Sequence, residues 1–260
     1  MDLAKMTIKE IESIFAAGNV PAEVLEQCAR DSRKAVQGLL RRHGREERER
    51  QRIAMLYGYE ELAAAEGMDI VAGVDEAGRG PLAGPVSVAA VVLPRGLFLP
   101  RLNDSKKLSP KARDELYDLI REKALAIGTS FVDAKTIDRV NIYQATINGM
   151  YEAIFSLSPE PQKVLIDAVR LENLPMPSLS IVKGDEKSAS IAAASIVAKV
   201  RRDRLMEEYD RQYPEYGFAR HKGYGTAEHI KALRQYGPCP VHRLSFEPVR
   251  SIAAQRTGRV

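Results

Sequence analysis

The chain has 260 residues, 45 % hydrophobic and 28 % charged, an ordinary globular composition that excludes a mainly disordered polypeptide. Its 39 basic and 35 acidic residues leave a net charge of +4, which admits a polyanionic partner without demonstrating one. No apolar run approaches the roughly 18 residues of a membrane span, and the absence of Trp, with 6 % aromatic residues, argues against a surface built mainly on base stacking.

The N-terminus MDLAKMTIKEIE carries acids and lacks an apolar core with a cleavage site, so it does not read as a secretory signal. Cys28 and Cys239 stand too far apart in sequence to suggest a disulfide framework or a zinc cluster. A cytoplasmic protein is expected. Residues 1–69 read as a helical extension. Thr7-x-x-Glu10 forms a capping box, with Met6 and Ile11 placed for a hydrophobic staple. Gly18-Asn19 stops that helix and Pro21 can start the next. Residues 41–52, RRHGREERERQR, are either a solvated helix laced with i,i+4 pairs or an arm that grips a nucleic-acid backbone.

From Ile70 the texture changes to short apolar runs separated by helical segments, and residues 70–260 read as a second part of the chain. Strands are expected at 70–74, 85–93, 125–132, around 164–166 and around 179–182. Helices are expected at 110–123, 141–157, about 188–212 and 226–236. The pattern predicts an α/β fold with a mixed sheet covered by helices. The segment from about 213, rich in Gly, Pro and aromatic residues, reads as a small appendage.

Three of the apolar strands run into acid: Val74 into Asp75 and Glu76, Ile166 into Asp167, and Val182 through Lys183-Gly184 into Asp185. Read singly, each acid is a loop residue or a helix cap. Their recurrence at strand ends, where ligands collect in open α/β sheets, favours one shared site. If the strands are neighbours, four carboxylates would repel one another unless a cation sat among them. Such oxygen donors suit Mg²⁺ or Mn²⁺, and two ions could serve phosphodiester cleavage.

The loop GVDEAGRGPLAGP places Gly78 and Gly80 for close backbone approach to a ligand, with Arg79 able to grip a phosphate. It lacks the Lys and Ser or Thr of a P-loop; the alternative is a tight turn. Lys106 and Lys107, in Asn103-Asp104-Ser105-Lys106-Lys107-Leu108-Ser109, read as a phosphate clamp or as the approach to a helix capped at Ser109-Pro110. Tyr224, between Gly223 and Gly225, is either free to stack on a sugar or base or a core aromatic at a turn. His229 and His242, each without metal-site spacing, read as separate structural residues.

Together these stretches resemble the bacterial type 2 ribonuclease H family, ribonuclease HII. The resemblance runs through VAGVDEAGRGPLAGPV at 71–86, LNDSKKLS at 102–109, VLIDA at 164–168, KGDEKSASIAAASIVAKVRRD at 183–203, HKGYGT at 221–226 and GPCPVHRLSFEPV at 237–249. It covers about residues 70–250, and the leader resembles the extended form of the enzyme. The family often has Gly after the third acid, where this chain has Ala168.

The resemblance implies a ribonuclease H-like fold, a five-stranded mixed sheet flanked by helices with a small C-terminal helical part. It implies an endoribonuclease acting on RNA–DNA hybrids and on duplex DNA holding single ribonucleotides. Cleavage would fall 5′ of the ribonucleotide and leave 3′-hydroxyl and 5′-phosphate ends, as ribonucleotide removal from DNA requires. Asp75, Glu76, Asp167 and Asp185 would hold two Mg²⁺ or Mn²⁺ ions with substrate bound. Gly78-Arg79-Gly80 would read the ribose 2′-hydroxyl, Tyr224 would stack on the adjacent deoxyribose, and Lys106, Lys107 and Arg79 would hold flanking phosphates. A monomer without membrane attachment is expected. The rival readings are another metal-dependent nuclease of the same fold and a non-catalytic nucleic-acid-binding module.

Overall fold

The computed structural model describes residues 3–257. They fall into two compact units that divide between Ala54 and Met55, ahead of the change of texture at residue 70. In the first unit, α1 (Ile8–Ala16) and α2 (Ala22–Arg30) precede α3 (Lys34–Leu56), inside which the division lies. The α1 capping box is present: the Glu10 amide donates to Thr7 Oγ1 at 3.3 Å, and the Thr7 amide donates to Glu10 Oε2 at 2.7 Å. Ile11, Val24, Cys28, Val36 and Leu39 bury together, with Met6 packed against them. Arg33 ties the start of the chain down by donating to the Met6 and Leu3 carbonyls at 2.7 and 3.0 Å. Arg41, Arg42, Arg45 and Arg48 are exposed on α3, and Arg52 pairs with Glu49 one turn earlier.

The second unit begins with α4 (Gly58–Ala65), β1 (Val71–Ala77) and β2 (Val86–Val92), followed by α5 (Pro110–Lys123) and β3 (Ala126–Val132). Then come α6 (Ala134–Val140), α7 (Ile142–Phe155), β4 (Lys163–Asp167), β5 (Ser178–Ile181) and α8 (Ala189–Gln212). The short α9 (Phe218–His221), α10 (Ala227–Tyr236) and α11 (Val249–Thr257) complete it. The strands form one mixed sheet in the order β3-β2-β1-β4-β5. β1–β2 and β2–β3 are antiparallel, whereas β1–β4 and β4–β5 are parallel.

Every residue of β2 is buried, because helices cover both faces of the sheet. On one face, Val88, Ala90 and Val92 join Met150, Ala153 and Ile154 of α7 in the main core. On the other, α8 lies so close to β1 that a Cβ built on Gly73 would stand 2.1 Å from the Ser190 carbonyl carbon. The small residues opening α8 are what permit this approach.

Two features depart from the expected elements. The helix expected at 141–157 is α7, and a further helix, α6, precedes it, set off at Asn141, whose positive φ of 68° turns the chain and whose Oδ1 accepts from the Gln144 amide at 3.0 Å. β1 does not stop at Val74. Its ladder with β2 continues as Asp75↔Ala89, Glu76↔Val88 and Ala77↔Ser87, so the first two acids lie within the strand.

Glu60 on α4 is buried against the start of α8. Its Oε1 accepts from Ser188 Oγ and Ser190 Oγ, each at 2.6 Å, and from the Ser190 amide at 2.9 Å. A carboxylate at a helix N-terminus meets orphan amides and the positive end of the dipole. Glu60→Ala strands a buried amide and two hydroxyls and should cost about 2–3 kcal/mol. Thermal melting should show a fall of roughly 4–12 °C. Glu61→Ala, which removes only an exposed pair with Arg95, should leave the melting temperature unchanged.

Candidate active site

Strand register brings the acids together. In the parallel β1–β4 pair Val74 lies opposite Ile166, so Asp75 and Asp167 follow side by side on adjacent strands. Asp167 in turn lies opposite Ile181 of β5. Beyond β5, Lys183 takes a left-handed backbone (φ 55°) and Gly184 begins a short 3₁₀ turn, which swings Asp185 back toward the strand end. The Gly184 amide donates to Asp167 Oδ1 at 2.7 Å and couples the third acid to the loop of the fourth. Ala168, after the third acid, takes φ 50°, a left-handed backbone in which glycine carries no Cβ penalty.

Burial and mutual repulsion set the charge state. Asp75 is held well above the ordinary carboxylate range, first by burial and then by the charges of Glu76 and Asp167. Hydrogen bonds from Ser195 and from the Glu76 amide oppose that shift in part. Glu76 is pushed up by burial, Arg79 works against that shift, and Asp167 adds to it. Asp185 is pushed up to about 6 by burial and by Asp104 and Asp167, against the opposing charge of Lys106. Lys106 Nζ stands 3.8 Å from Asp185 Oδ2 and 4.0 Å from Asp104 Oδ1. Burial lowers the Lys106 ammonium, but Asp104, Asp185, Asp75 and Asp167 together raise it further than burial lowers it.

The donor set suits a hard divalent cation. All the acids offer oxygen, and the raised protonation of Asp75, Glu76 and Asp185 marks an excess of negative charge that a cation would relieve. Glu76 Oε2 is buried and meets no hydrogen-bond partner among the described residues, which leaves its lone pairs free. Among the described residues no three His, Cys, Asp or Glu side chains are grouped tightly enough to hold a metal ion as they stand. The acids are instead spread onto amides, Ser195, Arg79 and Lys106, as repelling charges require.

Beside the acids opens a cleft of about 260 Å³, lined among others by Gly78, Gly80, Lys106, Ser195, Lys199 and Tyr224. Gly78 takes φ 94°, and a Cβ built there would lie 2.0 Å from Arg202 Nε, so only glycine fits. Arg202 and Arg243 are fully buried and hold this loop by its carbonyls. Arg202 donates to Pro85, Lys222 and Ala83 at 3.0, 3.0 and 3.1 Å. Arg243 donates to Gly78, Arg79 and Gly84 at 2.6, 2.8 and 2.8 Å. Burial pulls the Arg243 guanidinium down to about 9.

Tyr224 is half-exposed at the cleft rather than sunk in the core, and a Cβ on Gly80 would stand 3.9 Å from its ring. Its loop is pinned to the glycine loop by the Leu82 amide, which donates to the Gly223 carbonyl at 2.8 Å. Arg79 reaches Glu76 at 3.4 Å. Lys107 turns away to pair with Glu186 at 2.9 Å.

The sequence reading did not single out Asp104, Ser195, Lys199, Arg202 or Arg243. For three of them a signal existed: Ser195, Lys199 and Arg202 recur at helical spacing on one face of α8. It also took His229 and His242 as separate residues, whereas the fold sets their Nε2 atoms 3.0 Å apart.

A ribonuclease HII family model matches residues 72–249, and a ribonuclease HII N-terminal domain model matches residues 7–63. The chain is 48 % identical to a ribonuclease HII of Geobacillus kaustophilus over 254 residues, covering 96 % of this chain and 97 % of that one. It is 54 % identical to a ribonuclease HII of Ruminiclostridium cellulolyticum over 213 residues, covering 82 % and 84 %. Among solved structures it is similar to the ribonuclease H2 of Pyrococcus horikoshii, with a TM-score of 0.61 and 28 % identity over 71 % of this chain and 97 % of that one.

Proposed function

The chain belongs to the ribonuclease HII family, and from that premise we propose that it cuts duplex DNA on the 5′ side of single embedded ribonucleotides. It is an endoribonuclease of the ribonuclease H class, acting on RNA paired with DNA. The observation that supports the finer reading is a cleft lined by the glycine loop, the exposed Tyr224 and Glu76, with the other acids of the strand-end cluster beside Glu76. Among the described residues no helix is long and apolar enough to cross a membrane.

Asp75, Glu76, Asp167 and Asp185 would hold two divalent ions, Mg²⁺ or Mn²⁺, with substrate bound. Those ions supply charge neutralisation and water activation for phosphodiester hydrolysis to 3′-hydroxyl and 5′-phosphate ends. The chain's own residues supply binding and discrimination. The backbone of Gly78-Arg79-Gly80, held by Arg243 and packed at Gly78 against Arg202, would present amides to a 2′-hydroxyl. A deoxyribose at the same place leaves that polar contact unmade. The Tyr224 ring would stack on the neighbouring deoxyribose. Lys106 brings positive charge to the acid cluster, and with Arg79 it faces the cleft where a phosphate would lie. Lys107, paired with Glu186, would contribute charge farther out.

The test is cleavage of a DNA duplex holding one ribonucleotide, beside an all-DNA duplex, with Mg²⁺, Mn²⁺ or chelator. A cut 5′ of the ribonucleotide that needs metal and spares all-DNA is expected. Cutting of all-DNA would instead indicate another nuclease of this fold, and metal-independent binding without cutting would indicate a binding module.

A further inference from the structure

The C-terminal segment Val241–Arg243 is clamped to the continuation of the glycine loop. The Gly84 amide donates to the Val241 carbonyl at 2.8 Å, the Arg243 amide donates to the Leu82 carbonyl at 2.9 Å, and His242 bridges Ala83. From that clamp the His242 ring points to His229, and His229 points to the backbone of Tyr224. Both rings are fully buried.

The direction of the hydrogen bonds follows from the two ends. The Tyr224 carbonyl can only accept, so His229 Nδ1, 2.9 Å away, carries a proton. The Cys239 amide can only donate, so His242 Nδ1, 3.0 Å away, carries none. For neutral rings, His242 Nε2 is then the donor and His229 Nε2 the acceptor of the 3.0 Å bond between them. Both ends demand the same pair of tautomers, and every ring nitrogen is satisfied. His221, stacked on His229 with centroids 4.5 Å apart, accepts from the Gly223 amide at Nδ1 and so donates from Nε2 to the Tyr216 carbonyl.

We propose that His242 and His229 are positioning residues, a one-directional relay from the Cys239 amide to the Tyr224 carbonyl that holds Tyr224 in register with the Gly78–Gly80 loop. The proposal rests on the reading that these two elements meet the substrate. Tyr224 is half-exposed; the Leu82–Gly223 bond ties its neighbour to the glycine loop, and its own carbonyl takes a separate reference. The relay provides that reference, because it starts on a segment hydrogen-bonded to the glycine loop and ends on the tyrosine's own backbone. Protonation of His229 would set its Nε2–H against that of His242 across 3.0 Å, and protonation of His242 would set its Nδ1–H against the Cys239 amide across 3.0 Å, so the relay needs both rings neutral. Burial, the first cause for each, pushes His229 down to about 4 and His242 down to about 3. The titratable groups facing them are His221 on one side and, on the other, the Tyr216 phenol, which burial pushes up, and the Cys239 thiol, which burial pushes up to about 11.

The first test is ¹⁵N NMR of the unmodified protein. His229 should be protonated at Nδ1 and His242 at Nε2, with neither ring titrating between pH 7.5 and 5.5. The opposite tautomers, or titration in that window, would overturn the relay. The second test is kinetic, on a duplex with one ribonucleotide. His242→Leu should lower kcat about tenfold or more with little change in KM, as a misplaced contact does. His242→Gln, which keeps an amide donor toward His229, should recover most of that loss. In a Tyr224→Ala background His242→Leu should add almost nothing, because its effect passes through Tyr224. Full activity of a folded His242→Leu protein, or additive losses in the double variant, would sink the proposal. If the unmodified protein does not cut this duplex, the functional reading fails, and NMR alone then decides whether the relay exists.

Discussion

Asp75→Asn is expected to abolish cleavage while leaving the protein folded and more resistant to heat. Asn keeps the shape and an oxygen for the Ser195 hydroxyl and the Glu76 amide, but it removes a charged donor from the centre of the carboxylate cluster. Metal assistance contributes several kcal/mol of transition-state stabilisation, and losing it corresponds to a fall of roughly 10³-fold or more. Stability should move the other way. The folded protein holds the Asp75 carboxyl above its unfolded value, so above that value its charge is carried at a cost. That cost is absent below the unfolded value, grows between the two values and levels off above the raised one. The gain from Asp75→Asn, read as a rise in melting temperature, should therefore be largest at alkaline pH and should fade near pH 4. Calorimetry across pH without metal, paired with the cleavage assay, reads both halves. Cleavage within tenfold of the unmodified protein would remove Asp75 from the catalytic group.

Gly78→Ala should produce the second large loss, by a different route. The backbone at φ 94° disfavours any Cβ by about 1–2 kcal/mol. The new methyl would also lie 2.0 Å from Arg202 Nε, and Arg202 cannot withdraw without releasing three buried carbonyls. The loop must therefore move. A shift of about 1 Å at a reacting centre costs on the order of 100-fold. Gly80→Ala, with nothing nearer than a ring carbon of Tyr224 at 3.9 Å, should lose much less. Comparing kcat/KM for the two variants on the single-ribonucleotide duplex separates a rigid reading loop from one that merely needs small residues. A Gly78→Ala protein as active as Gly80→Ala would show that rigidity is not what reads the substrate.

The five strands were legible because each is a short apolar run bounded by Gly, Pro or charge, and the alternation of runs with helical segments announced a mixed α/β sheet. Helix α6, ahead of Asn141, was harder to see, since its seven residues are too few for hydrophobic periodicity to mark a helix. The extension of β1 through Asp75 and Glu76 was equally hidden. Charged residues at a strand end read as a loop until the β2 partner that prolongs the ladder is known.

The sequence by itself determined the acids at the strand ends, the glycine loop and the tyrosine between glycines, because backbone freedom and hard oxygen donors are properties of residue type. Only the tertiary structure decided what surrounds them. It chose Arg202 and Arg243, from a chain rich in arginine, to hold the glycine loop and its continuation by their carbonyls. It set Asp104 beside Asp185, joined His229 to His242, and turned Lys107 toward Glu186. It also placed α4 with the second unit, where Glu60 caps α8. These are contacts between residues far apart in the chain, and their partners follow from strand order and helix packing, which local spacing does not encode.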